Sequence, residues 1–202
     1  MDRTILNTEK SAGEHMNIVI VVGTNRGGSM SKNIAQYLER MYLEEGVSVT
    51  IVDLSEMRSE WLNPEIYRKP KPDSFIEFHA PITEADGIVF VVPEYNGSYP
   101  GALKFYIDLW SYPDDFTNRC VAFVGISSNQ WGALRPVEQL QGVFGYRNAF
   151  QFNERIFLSN IWSRWDFETQ RLKPLHAKEI DFNDLVKAQT TGFVEFCRKH
   201  SK

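Results

Sequence analysis

Four short apolar runs, Asn17-Ile-Val-Ile-Val-Val22, Val47–Leu54, Gly87–Val92 and Arg119–Ile126, are separated by stretches whose apolar residues recur at helical spacing. Runs this uniformly apolar have no wet face, so they read as strands covered on both sides, and the helical stretches between them read as crossovers of a parallel sheet. Ser31–Glu45 places Ile34, Leu38, Met41 and Tyr42 on one stripe and stops at Gly46. Ser74–Glu84 reads as a helix interrupted or restarted at Pro81, because proline removes a backbone donor and clashes with the preceding turn. A third helix follows Pro100, a fourth covers Gly132–Phe144, a fifth strand begins at Ala149–Phe152 and runs onward, and Asp181–Arg198 closes the chain. Five strands alternating with five helices through right-handed crossovers describe a doubly wound α/β sheet.

The 202 residues suit a single domain, placed at 16–202, because Met1–His15 is polar, of mixed charge and without the apolar core of a signal peptide. That segment reads as a mobile tail before a cytoplasmic domain. A net charge of −4 lacks the basic excess that nucleic-acid backbones require, so nucleic acid is excluded as a partner. No apolar run approaches the roughly 20 residues that span a bilayer, so no membrane partner is expected. Cys120 and Cys197 have no metal-ligand spacing around them and read as reduced interior thiols. No metal site is expected.

In an open parallel sheet, ligands bind beyond the carboxyl ends of the strands. The first such loop, Gly23-Thr24-Asn25-Arg26-Gly27-Gly28-Ser29-Met30-Ser31, runs straight into a helix and combines glycines, hydroxyls, a guanidinium and the positive end of a helix dipole. That set suits a phosphate. Gly23 and Gly28 have P-loop spacing, but Ser29-Met30 stands where Lys-Ser/Thr must hold outer phosphates and magnesium. Asn25 breaks the dinucleotide fingerprint at its second glycine. A single terminal phosphate fits best, and a glycine-rich turn that merely redirects the chain is the competing reading.

The second loop, Pro93-Glu94-Tyr95-Asn96-Gly97-Ser98-Tyr99-Pro100-Gly101, is stiffened by proline and glycine, and its amides and tyrosines can flank a flat heteroaromatic ring. Alone it is an ordinary turn. Together the two loops describe one crevice with a phosphate at one end and a planar ring at the other.

The pattern Gly23-Thr24-x-Arg26-x-x-Ser29-x-Ser31, followed by Pro93-Glu94-Tyr95-Asn96-Gly97-Ser98-Tyr99-Pro100-Gly101-Ala102-Leu103-Lys104 and Asp108, resembles the NADPH-dependent FMN reductase family. This flavodoxin-like group includes quinone, azo-dye and chromate reductases. The resemblance implies a three-layer α/β sandwich around a five-stranded parallel sheet in the order 2-1-3-4-5, with FMN held noncovalently and NADPH or NADH as co-substrate. It implies that Thr24, Arg26, Ser29 and Ser31, with Met30 among them, hold the phosphate, and that Pro93, Glu94, Tyr95, Asn96 and Gly97 follow the ring. Ser127 and Gly132 of the third loop are implied as donors to the ring. Ser31 stands where family members usually carry an amide, and it keeps a donor. Trp131 either covers the ring's pyrimidine edge, narrows access for a second substrate, or packs against the fourth helix.

The chemistry implied is the cofactor's own: ping-pong transfer of two electrons from NADPH to a quinone-like, azo, metal-oxyanion or free-flavin acceptor, with no catalytic side chain. Consistently, the sequence has no Ser-His-Asp arrangement and no HExxH, and His79 reads as a surface or internally satisfied residue. The family also implies a homodimer or homotetramer, in which Phe105, Tyr106 and Trp110 of the third helix would face a second subunit. Trp61, Trp162 and Trp165, from the long stretches Ser55–Asp73 and Phe157–Ile180, would wall a neighbouring site. Two other functions stay open: a flavin-binding electron carrier or redox sensor without turnover, and a colourless phosphate-loop protein.

Overall fold

The computed structural model describes residues 16–173 and 181–200. The tail expected over Met1–His15 lies outside the described residues. Strand β1 (Asn17–Val22) pairs with β2 (Ser48–Asp53) on one side and with β3 (Gly87–Pro93) on the other, and β3 pairs with β4 (Cys120–Ile126), all parallel. Beyond β4 the edge is shared by two pieces, β5 (Phe150–Gln151) and β6 (Ile156–Leu158), both parallel to it. The order β2-β1-β3-β4-β5 is the one implied by the resemblance.

The edge strand differs from the expected continuous run. Phe152 still donates to the Val121 carbonyl, but between the two pieces the Gln189 side chain inserts, donating from Nε2 to the carbonyls of Phe123 (3.3 Å) and Glu154 (2.8 Å). A side-chain amide thus takes the ladder position that a strand residue would fill, and the buried carbonyl stays satisfied.

Strand periodicity divides the interior into two cores. Ile18, Ile20, Val22, Val89, Val91, Ala122 and Val124 face one side, under α1 (Met30–Glu44) and α6 (Phe182–His200). Val19, Val21, Ile88, Phe90, Val92, Val121 and Phe123 face the other, under α2 (Asp73–Glu84), α3 (Gly101–Asp108) and α4 (Leu134–Tyr146). Each buried side chain of this size stabilises the fold by about 1.5–3 kcal/mol.

Helix α2 runs unbroken through Pro81, contrary to expectation. The proline sits in the last turn and removes one hydrogen bond, while burial of Phe75, His79 and Ile82 holds the segment on the sheet. Two of the three residues expected to face a second subunit are instead internal, while the third, Phe105, is half-buried at the edge of the core under α2–α4. Tyr106 and Trp110 are buried in the chain's own core, where Trp110 meets Phe90, Phe116 and Phe144 at ring distances of 6.1, 5.2 and 5.9 Å. Trp61 does not wall a site, for it lies in the same core with Nε1 donating to Ser74 Oγ at 3.1 Å. The stretch around it is wound into three short turns of 3-10 helix, Leu54–Glu56, Ser59–Leu62 and Pro64–Tyr67.

The second long stretch forms the four-residue helix α5 (Ile161–Arg164) and a small antiparallel hairpin, β7 (Trp165–Asp166) with β8 (Arg171–Leu172). Trp165 is buried against Tyr37, its ring centroid 6.0 Å away.

His79 is internally satisfied. Its ring nitrogens lie 3.0 Å from Tyr106 Oη and 3.0 Å from Asp115 Oδ2, and the Ser111 amide donates to that same carboxylate oxygen at 2.6 Å. Burial alone would raise the Asp115 carboxyl, but the His79 and Ser111 contacts, with Arg119 nearby, outweigh it and hold the group below the ordinary carboxylate range. Cys120 and Cys197 are buried and reduced. Cys197 Sγ occupies the space that a Cβ on Gly87, the register partner of Cys120, would take. Among the described residues no helix is long and apolar enough to cross a membrane, and no group of three or more His, Cys, Asp or Glu is placed to hold a metal.

Candidate functional site

A crevice of about 520 Å³ opens where β1, β3 and β4 end. Its volume lies in the range of small-molecule and cofactor sites. One side is the loop from β1 into α1. Gly23 donates to the Val91 carbonyl at 2.9 Å, and a Cβ there would stand only 2.5 Å from that oxygen, so the chain can leave the sheet this closely only through glycine. Gly28 has φ +65°, and Ser29 then caps α1, its hydroxyl accepting from the Lys32 amide at 3.4 Å.

Helix α1 has 15 residues and no acidic residue in its first turn, so the positive end of its dipole is open to an anion. Its third amide, Lys32, is taken by Ser29, and the two before it precede the first intrahelical acceptor. Ser31 also lines the crevice. It is fully buried, yet its Oγ has no hydrogen-bond partner among the described residues. A buried hydroxyl left without a partner costs about 1–3 kcal/mol, a cost that an acceptor bound at this end of the crevice would offset.

The second side is Pro93–Asn96. Asn96 and Gly97 have φ of 52° and 78°, and the Tyr95 and Ser98 amides and carbonyls bond reciprocally at 2.8 and 3.1 Å, a tight two-residue turn of the hairpin type. The Glu94 amide donates to the Ile126 carbonyl at 3.1 Å, which ties this loop to β4. Tyr95 Oη and Thr24 Oγ1 are 2.9 Å apart, and Thr24 Oγ1 accepts from the Arg26 amide at 3.2 Å, so the first and second loops are locked together.

The third side is the loop leaving β4. Asn129 Oδ1 accepts from Ser127 Oγ at 2.9 Å and from the Trp131 amide at 2.8 Å, and its Nδ2 reaches Glu94 Oε2 at 3.3 Å.

Of the residues singled out in the sequence, Arg26, Ser29, Met30, Ser31, Pro93, Glu94, Tyr95, Asn96 and Ser127 line the crevice together. Three do not. Thr24 is buried behind the lining and acts through Tyr95, and Gly97 completes the turn outside it. Gly132 packs on Phe157, whose backbone carbon would stand 2.8 Å from a Cβ there. Trp131 is exposed rather than packed against α4, and it is absent from the lining. Sequence reasoning missed Ile126, Ser128 and Ile161 as lining residues and the bridging role of Asn129. Trp162, expected to face a neighbouring subunit's site, lines this chain's own crevice.

A family model described as NADPH-dependent FMN reductase matches residues 16–163, nearly three quarters of the chain. The chain belongs to this family. Its members are oxidoreductases that use flavin and NAD(P)H. A relative within reach of the whole chain, the NADH-dependent flavin reductase subunit 2 of Lactobacillus johnsonii, is 26% identical over 198 residues, covering 91% of this chain and 100% of that one. The quinone reductase of Escherichia coli K12 is 26% identical over 193 residues, covering 92% and 97%. Among solved structures, the flavoenzyme NAD(P)H:(acceptor) oxidoreductase FerB of Paracoccus denitrificans superposes with a TM-score of 0.75 over 93% of this chain and 100% of that one, at 18% identity. At that identity the superposition speaks for the flavodoxin-like fold of this FMN reductase family member and for nothing finer.

Proposed function

We propose that the chain binds FMN noncovalently in the crevice and catalyses transfer of two electrons from NADPH or NADH to a quinone-like, azo, metal-oxyanion or free-flavin acceptor. The observation that carries this reading is the buried hydroxyl of Ser31, without a partner among the described residues, at the start of α1, whose first turn holds no acidic residue. A monophosphate there meets Ser31, Ser29, the opening amides of α1 and the Arg26 guanidinium, the donor set that a terminal phosphate needs. When bound, the flavin supplies hydride acceptance and two-electron return.

The chain's own residues bind and orient. Pro93–Asn96 offers backbone groups on a stiff turn, the Thr24–Tyr95 bond sets that turn against the phosphate loop, and Asn129 holds Glu94 and Ser127 in register across the crevice. No side chain is asked to move a proton. One crevice serves the reductant and the acceptor in turn, so initial-velocity plots should run parallel. NAD(P)H as co-substrate fits a cytoplasmic setting. Assembly into a homodimer or homotetramer belongs to the reading. Its support is the exposed pair Tyr112 and Tyr146, which flank the Arg147 guanidinium at 4.8 and 5.1 Å.

The visible spectrum of the purified or FMN-reconstituted protein, with the released chromophore identified, tests the binding claim: bound FMN is expected, and a colourless protein that takes none up defeats it. NAD(P)H oxidation with a quinone far above the rate with oxygen alone is expected of an enzyme; equal rates mark an electron carrier. Sedimentation at micromolar concentration reads the assembly, and a monomer removes that part.

A further inference from the structure

Of the five tryptophans, Trp61, Trp110 and Trp165 are buried, whereas Trp131 and Trp162 keep 62% and 57% of their surface in solvent. An exposed ring needs no explanation by itself. Trp162 has two properties that Trp131 lacks. It lines the crevice, and a second exposed ring, Phe167, stacks on it with centroids 6.4 Å apart and planes 29° from parallel.

The turn that presents Trp162 is fixed. Ile161 and Trp165, on either side of it, are buried. The backbone is stitched to the loop leaving β4 by three hydrogen bonds: Ser127 amide to Leu158 carbonyl (3.1 Å), Asn160 amide to Asn129 carbonyl (2.9 Å) and Ile161 amide to Ser127 carbonyl (3.0 Å). Phe167 is steadied in turn, because Asp166 Oδ1 accepts from the Glu168 amide at 2.9 Å and the Thr169 amide at 3.3 Å. The backbone that presents the indole is thus already ordered, so little backbone freedom is lost when a flat partner binds.

We propose that Trp162, backed by Phe167, is the stacking wall for the planar substrate that enters the crevice beside the cofactor, and that it selects flat aromatic acceptors over compact ones. The inference rests on the flavin reading given above. The cofactor is accounted for by the loops leaving β1, β3 and β4, whereas Trp162 comes from a fourth element, α5. With more than half of its surface in water, the indole stands at the mouth, where a transient substrate arrives. Its neutral face suits an uncharged ring, and its single donor, the indole N–H, lies at the ring edge and not on that face.

Calorimetric binding of 1,4-naphthoquinone to the oxidised, FMN-loaded protein without NAD(P)H reads the wall with no turnover. Trp162→Ala and Trp162→Leu, the second keeping apolar bulk in the turn, should each weaken binding about tenfold, while Trp162→Phe stays within about threefold of wild type. Trp131→Ala should leave quinone binding within about twofold, and FMN affinity should stay within about twofold in every variant. Quinone binding unchanged in Trp162→Ala and Trp162→Leu, absent from the wild type, or weakened as much by Trp131→Ala overturns the proposal. So does a loss of FMN affinity in the Trp162 variants, which assigns the indole to the cofactor. A wild-type protein that takes up no FMN is recognised before any quinone is added, and it removes the flavin reading and this inference together.

Discussion

Two polar clusters lie on elements packed against this sheet, and they are built in opposite ways. Under α2 and α3, His79, Tyr106 and Asp115 are buried among aromatic rings, and each finds its partner inside the protein. At the start of α1, Ser31 borders the crevice and is as deeply buried, yet its hydroxyl has no partner among the described residues. Burial with satisfaction ties elements together, here α2, α3 and the segment before β4. Burial without it leaves binding energy for a ligand. The contrast sets a histidine satisfied inside the protein against a serine whose hydroxyl has no partner among the described residues.

The largest effect expected from breaking this contrast is in the closed cluster. Asp115→Ala strands the His79 ring nitrogen and the Ser111 amide and should cost about 3 kcal/mol of stability. For a chain of this length that lowers the thermal midpoint by roughly 6–12 °C, with FMN affinity in the folded fraction unchanged. An unaltered midpoint would show the cluster to be incidental.

Acid probes the same cluster next. The Asp115 carboxyl is held below its ordinary range in the folded chain, so its contribution is complete above the unfolded value of about 3.9 and disappears as pH falls through the folded one. Asp53 behaves alike: its burial opposes ionisation, but the Ser55 amide and the Lys32 ammonium at 2.9 Å prevail. Urea midpoints should therefore fall on acidification below about pH 4, with a shallower fall in Asp115→Asn. Equal slopes in the two proteins would remove Asp115 from the account.

In the open cluster, Ser31→Ala should act with opposite signs on two readouts. The FMN dissociation constant should rise about tenfold, while the ligand-free protein should be as stable as wild type or up to about 1 kcal/mol more stable, because an unsatisfied hydroxyl is gone. Loss of ligand-free stability would mean that the hydroxyl already has a structural partner. The smallest change is expected from Tyr95→Phe, which removes the contact with Thr24 Oγ1. About 1 kcal/mol of stability and a roughly threefold weaker FMN complex, measured by unfolding and by fluorescence titration, should follow.

Much of the crevice was legible beforehand because its residues are local in the chain. A strand, a glycine-rich turn and a helix start lie within Asn17–Ser31, and Pro93–Gly97 runs from the last residue of β3 into the next turn, so eight of the nine expected lining residues sit on these two local segments, and the ninth, Ser127, directly follows β4. The tryptophans were not legible. What separates the buried Trp61 and Trp165 from the exposed Trp162 is contact with distant residues, Ser74 for Trp61 and Tyr37 for Trp165. Trp162 reaches the crevice only through hydrogen bonds between positions 158–161 and 127–129, and no local pattern encodes these. Pro81 inside α2 and the break between β5 and β6 belong to the same class, since each depends on a partner contributed by another element.

The chain's own residue pattern determined the parallel sheet, its two-sided burial and the phosphate-type turn leaving β1, because strand period, helix period and turn propensity are set by residues within a few positions of one another. Tertiary structure alone decided which polar groups end with partners and which without, and which aromatic rings turn inward. Those outcomes depend on the free energy of contacts between residues tens of positions apart, and that free energy exists only once the elements have packed.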